Sequence, residues 1–151
     1  MTNQTPYRLH ASLGYHLSVA ARLQEKRLDD KLKSLELTRI TWCILLAVGI
    51  ENLFQPSDIA NFVGIDRTAT SRSLRQMESQ NLLERSSGTG DRRTRLVRLT
   101  KAGQTALDAA TPFAMENAKI MSDRLTATEK TDLMRLLAKL RRDDDPRLDR
   151  L

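Results

Sequence analysis

Aromatic side chains are scarce in this chain of 151 residues: one Trp, two Tyr and three Phe, 4% of the total. So few rings leave little to stack on unpaired bases, which argues against a single-strand nucleic-acid binder. Cysteine is rarer still. The single Cys43 makes no internal disulfide, in keeping with a reducing compartment. Its surroundings, TWCILLAV, place no Lys, Arg or His within two residues to favour a thiolate, so it reads as a small buried hydrophobe. Histidine occurs only at His10 and His16, and no His/Cys/Glu spacing of a metal site appears. Neither catalysis, a metal nor a cofactor is expected. Long apolar runs are missing too: the longest, around Cys43–Ile50, is far short of the roughly 20 residues of a bilayer span, so no membrane partner is expected. The first residues, MTNQTPYRLHASLGYH, lack a basic stretch followed by a continuous apolar core and do not read as a secretory signal. A cytoplasmic location is expected.

What the chain does have is arginine, concentrated in one place. Between Arg67 and Arg98, eight arginines stand against three acids (Glu78, Glu84 and Asp91), a local balance of +5 in a chain whose formal net charge is +6. Charge gathered in this way makes a local field that attracts a polyanion. With 40% apolar residues the chain can bury one proper core, so residues 1–151 are expected to form a single domain.

Apolar residues at Leu9, Leu13, Leu17, Leu23, Leu28 and Leu32 follow helical spacing and predict a long amphipathic helix over 8–32. Part of that stripe exceeds what a small core needs and is expected to meet a second chain. A more apolar helix, 37–50, should start at Thr38 and end near Gly49, with the glycine in a left-handed terminating position. Pro56, Ser57 and Asp58 open a short helix through Val63, Ser or Asp being able to cap it. Gly64 ends it. Asp66 should cap the next helix, 67–80, about three residues on, which is the connection of a helix-turn-helix. Two extended segments, LLERSS and RLVRLT, flank a Gly-rich turn and predict a hairpin. Gly88-Thr89-Gly90 inside that turn is not a phosphate-binding loop, because no helix follows it. A helix from Thr100 to about Ser122 contains Pro112, where a kink is expected. Thr126 and Glu129 form a capping box before a last helix with a stripe at Leu133, Leu136, Leu137 and Leu140. That stripe has nothing left in the chain to cover and predicts a homodimer. The charge-balanced end, RRDDDPRLDRL, is expected to be solvated.

The fold class expected is therefore mainly α with a small β-hairpin wing, a winged helix-turn-helix with long terminal helices. Residues 37–100 should form the lobe, and 6–32 and 101–142 the dimerisation helices. On helix 67–80, Ala69, Ser73, Leu74 and Met77 should pack inward, leaving Arg67, Thr68, Ser71, Arg72 and Arg75 outside. Together with Thr70, these outer residues are candidate contacts to double-stranded DNA. At the hairpin tip, Arg92 and Arg93 suit a narrow minor groove, Arg95 is a further candidate DNA contact, and Asp91 would aim a neighbouring arginine through a bidentate fork. A sequence-specific regulator is one reading. A protein that coats DNA without sequence preference is the alternative, and footprinting separates the two. His16, Arg39, Trp42 and Met115 are candidates for an effector pocket by composition alone, although a lone Trp in an apolar helix is more often core.

The pieces LTRITWCILLAV, SDIANFVGIDRTATSRSLRQMESQNLLER, GDRRTRLVRLTKAG and LTATEKTDLMRLLAKL, spread over 37–140, resemble the multiple antibiotic resistance regulator (MarR) family of bacterial repressors. The most specific element is Asp91-Arg92-Arg93 followed by Leu99-Thr100. The resemblance implies a homodimer whose terminal helices pair and whose two lobes read a pseudo-palindromic operator. It makes 67–80 the recognition helix in the major groove, Arg93 the wing arginine in the minor groove and Asp91 its orienting partner. It also implies that a small phenolic or anionic ligand, or an oxidant, loosens DNA binding. The chain lacks the N-terminal cysteine of the peroxide-sensing branch, which puts oxidant sensing in doubt.

Overall fold

The computed structural model describes residues 6–87 and 95–142. The elements run α1 (Leu13–Leu32), α2 (Arg39–Gly49), α3 (Pro56–Val63), α4 (Arg67–Ser79), β1 (Leu83–Ser87), β2 (Arg95–Leu99), α5 (Lys101–Ser122) and α6 (Ala127–Leu140), with 3-10 turns at Leu9–Ala11 and Lys33–Leu35. The architecture is the mainly helical one with a single antiparallel ribbon, Leu83 opposite Leu99 and Arg85 opposite Val97. A third piece of backbone supports the ribbon, since the Val97 amide donates to the Phe54 carbonyl at 2.8 Å.

The first helix begins later than its apolar spacing predicts. Ser12 is extended and its hydroxyl accepts from the Tyr15 amide while donating to the Leu9 carbonyl at 2.7 Å. The serine thus competes with the helix for its own backbone, and the chain before it closes a separate turn. Thr38 caps α2 as expected, in a reciprocal box with Thr41. Gly49 does not take the left-handed role assigned to it: it is the last residue of α2, and the left-handed position falls to Asn52. Its lack of a side chain serves packing instead, because a Cβ there would lie 2.5 Å from Leu107 Cδ2 and 2.7 Å from Leu99 Cδ1. At α3 neither Ser57 nor Asp58 caps. Gln55 holds that position with no side-chain bond, and Pro56 at the first turn removes one of the donors that would need a partner. Gly64, at φ 77°, turns the chain out of α3 as predicted. The helix α5 runs on through Pro112 to Ser122.

The core gathers Leu28 and Leu32 of α1, Ile44, Leu45 and Val48 of α2, Ile59 and Val63 of α3, Leu74 and Met77 of α4, Leu83 and Val97 of the ribbon, and Leu107 and Ala110 of α5. Each large side chain so buried contributes about 1.5–3 kcal/mol. One helix, α2, touches α1, α3, α4, α5 and β2, so it is the pillar on which the helix-turn-helix is mounted. The terminal helices are different. Leu9, Leu13, Leu17 and Leu23 are exposed, and α6 buries no residue, leaving Leu133, Met134, Leu136 and Leu140 open. No helix among the described residues is long and apolar enough to cross a membrane.

Candidate nucleic-acid interface

Asp66 accepts from the Ala69 amide at 2.8 Å and opens α4 with one of its free donors satisfied. The carboxylate also suits the positive end of the helix dipole. The back of the helix is pinned by Leu74 and Met77, both fully buried, with Ala69 and Ser73 half-buried beside them. The front carries Arg67, Thr68, Arg72 and Arg75, all exposed, and the half-buried Ser71. Thr70 does not belong with them. It is 1% exposed, and its hydroxyl donates back to the Asp66 carbonyl at 2.8 Å, so it shares the inner face with Leu74 and cannot reach a partner molecule. Arg75 lies along the helix, its Nε donating to the Ser71 carbonyl at 3.3 Å.

A cleft of about 420 Å³ separates the start of α3 from α4 and β1, lined by Ser57, Arg67, Ser71 and Arg85. Arg85 contributes to the local positive charge in the sequence, but it is turned inward, its Nε 2.9 Å from Glu78 Oε2. Arg98 stands over the Phe54 ring, 5.5 Å from its centroid. Asp91, Arg92 and Arg93 lie outside the described residues. Arg95 opens β2, where its backbone pairs with Ser87.

The four effector candidates do not form one site. Arg39 and Trp42 line a groove of about 830 Å³ between α1 and the start of α2, together with Gln24, Leu28, Ile40 and Cys43. His16 is exposed at the start of α1, edge-on to Tyr15. Met115 is 68% exposed on α5. Neither lines the groove, because α1 and α5 carry them away from α2. Composition missed Glu25 and Asp29, one helical turn apart on α1, which hold Arg39 at 2.8 Å each. Their spacing of four was the available signal. Partial burial would lower the Arg39 pKa, but the two carboxylates outweigh it and raise it above the ordinary value. Burial pushes the Cys43 thiol up, against a smaller opposing pull from Arg39. The thiol is thus a poor thiolate at neutral pH, in line with a packing role. Trp42 Nε1 is buried with no hydrogen-bond acceptor.

A short helix, a three-residue turn, an arginine-faced second helix and an antiparallel ribbon beside it define a winged helix-turn-helix protein. Residues 35–94 match the sequence model of the MarR family. Solved structures share the fold over nearly the whole chain. BpsR of Bordetella bronchiseptica, described for regulation of its DNA binding by 6-hydroxynicotinic acid, is 23% identical, with a TM-score of 0.80 over 93% of this chain and 100% of its own. A cysteine-to-serine mutant of E. coli MarR in complex with operator DNA is 23% identical, with a TM-score of 0.76 over 85% of this chain and 92% of its own. The organohalide-sensing regulator RdhR, bound to 2,4-dichlorophenol, is 20% identical, with a TM-score of 0.75 over 93% of this chain and 87% of its own.

Proposed function

We propose that this chain is a sequence-specific, double-stranded-DNA-binding transcriptional regulator of the cytoplasm. It acts as a homodimer on a pseudo-palindromic operator, as a repressor released by a small aromatic or anionic effector. The observation that carries the reading is the front of α4. Arg67, Thr68, Arg72 and Arg75 stand exposed on a helix whose back is locked into the core, a rigid rod with guanidinium forks of the kind that read base edges in a major groove. Net positive charge alone would suit a protein that merely coats DNA. A rigid, hydroxyl- and arginine-bearing face favours discrimination. Open leucines on α6 and at the start of α1 supply the surface for pairing two copies. The aromatic ligands carried by RdhR and acting on BpsR make a small aromatic a reasonable occupant of the groove beside Trp42.

Selection of bound fragments from random duplex DNA tests the reading. One palindromic consensus is expected, with half-sites about one helical turn, roughly 34 Å, apart. Even recovery of all sequences would support the architectural alternative. Trp42 is the only tryptophan, so its fluorescence reports on the groove directly. A small aromatic acid that releases the selected duplex is expected to change the emission, and release with unchanged emission would place the effector elsewhere.

A further inference from the structure

Among the described arginines of the basic segment, Arg85 is the one that the fold draws toward an acid of the same surface. On β1, alternation sets Leu83 and Arg85 on the inner face and leaves Glu84 and Ser86 exposed. Leu83 is buried in the core. Two residues on, where another apolar side chain would continue the core, the strand carries a guanidinium only 16% exposed, with its Nε 2.9 Å from Oε2 of Glu78, itself 31% exposed, on the last turn of α4. The separation is that of an ion pair. The Nε–H does not aim at the oxygen, however, so Nε and Nη2 are both shut from solvent without a hydrogen-bond acceptor. Desolvating a charge for an imperfect partner is a weak way to gain stability, and a hydrophobic side chain of similar volume would often do as well or better. What such a pair supplies is a fixed relation between the elements it joins. Here those elements are the arginine-faced helix α4 and the strand that leads into the hairpin.

We propose that Glu78 and Arg85 form a positioning pair that sets the angle of the hairpin against α4, and thereby tunes DNA affinity without touching DNA. The proposal rests on the DNA-binding reading given above. The competing role for Arg85, a direct phosphate ligand in the cleft it shares with Ser57, Arg67 and Ser71, predicts the opposite sign for one substitution. Glu78→Gln removes a negative charge beside a polyanion and frees the guanidinium. Electrostatics alone, or a phosphate-binding Arg85, would then tighten binding. A positioning pair loses its hold, and binding weakens.

The experiment uses the full-length protein and the duplex it recovers from random DNA. Glu78→Gln and Arg85→Met are expected to weaken binding at least roughly tenfold, well within the cost of breaking a partly buried ion pair. Arg85→Lys, which keeps a cation opposite Glu78, should restore most of the affinity. In parallel, backbone amides of β1 and β2 should exchange with solvent faster in Glu78→Gln, while those of α5 keep the wild-type rate. The near-isosteric Glu78→Gln carries the test where Arg85→Met fails to fold. Unchanged or tighter binding by Glu78→Gln overturns the proposal, as does unaltered exchange of the ribbon. If the wild-type protein recovers no duplex, the DNA-binding reading itself fails, and the exchange rates still decide whether the pair holds the hairpin.

Discussion

Two neighbours on α4 show how one turn of helix divides labour between residues. Thr70 is sealed beneath the helix and bonded to the Asp66 carbonyl, whereas Arg72 stands on the open face. Thr70→Val is expected to cost about 1 kcal/mol, the net worth of one intramolecular hydrogen bond, read as a shift in the urea midpoint. DNA discrimination should be unaltered. Arg72→Ala should do the reverse, with stability changed by less than about 0.5 kcal/mol and discrimination at one operator position reduced by about 1–3 kcal/mol. Equal weakening on every duplex would make Arg72 a phosphate contact only, and an altered operator preference in Thr70→Val would overturn its inward placement. The inward position of Thr70 was legible in the sequence, since 70, 74 and 77 step by four and three along one face. Arg85 was not. Its partner lies across a helix-to-strand turn, and no periodicity links a residue of α4 to one of β1.

At the scale of elements, the local signals held at three of the helix starts and failed at α3, where Ser57 and Asp58 do not cap. Thr38, Asp66 and the Thr126–Glu129 box cap their helices as the sequence indicates, because a cap needs only a side chain within three residues of a free amide. Gly49 was misjudged for the converse reason: what excludes a side chain there is Leu99 and Leu107, distant in sequence and brought close only by the fold. Gly49→Ala should therefore destabilise by about 1–3 kcal/mol through overpacking, measurable by denaturant melting. A gain in stability, as expected for a mere helix-propensity effect, would show that the leucines yield. The Glu129 box adds a pH dependence. Accepting the Thr126 amide holds the Glu129 carboxyl below its ordinary value of 4.5. A lowered pKa means that the cap is fully formed above that value and is lost as pH falls through the folded pKa. Amides at the start of α6 should accordingly exchange faster as pH drops below 4.5, after correction for intrinsic rates, and Glu129→Gln should flatten that dependence. An identical profile in the two proteins would remove the carboxylate from the cap.

For the whole molecule, the terminal helices pose a physical problem that the described residues of one copy do not solve. α6 has 14 residues and buries none of them, and helices shorter than about 12–15 residues are marginal in water without tertiary packing. Its open face, Leu133, Met134, Leu136 and Leu140, and the exposed leucines at the start of α1 together offer an apolar surface that a second copy can cover. The same α1 holds Arg39 of α2 through Glu25 and Asp29, so the element offered for pairing also grips the pillar of the lobe. Pairing would then fix the separation of two α4 helices, and a ligand beside Arg39 and Trp42 would act on the joint between them. Leu133→Arg combined with Leu136→Arg is the decisive variant. It should sediment as a monomer and lose roughly 10²–10⁴-fold in affinity for a two-half-site duplex, the gain that linkage of two binding modules provides, while binding an isolated half-site about as well as each wild-type lobe does. If the variant remains a dimer, pairing lies elsewhere. If it is a monomer with full affinity for the two-half-site duplex, each lobe reads DNA alone, and the spacing of half-sites is not what this molecule measures.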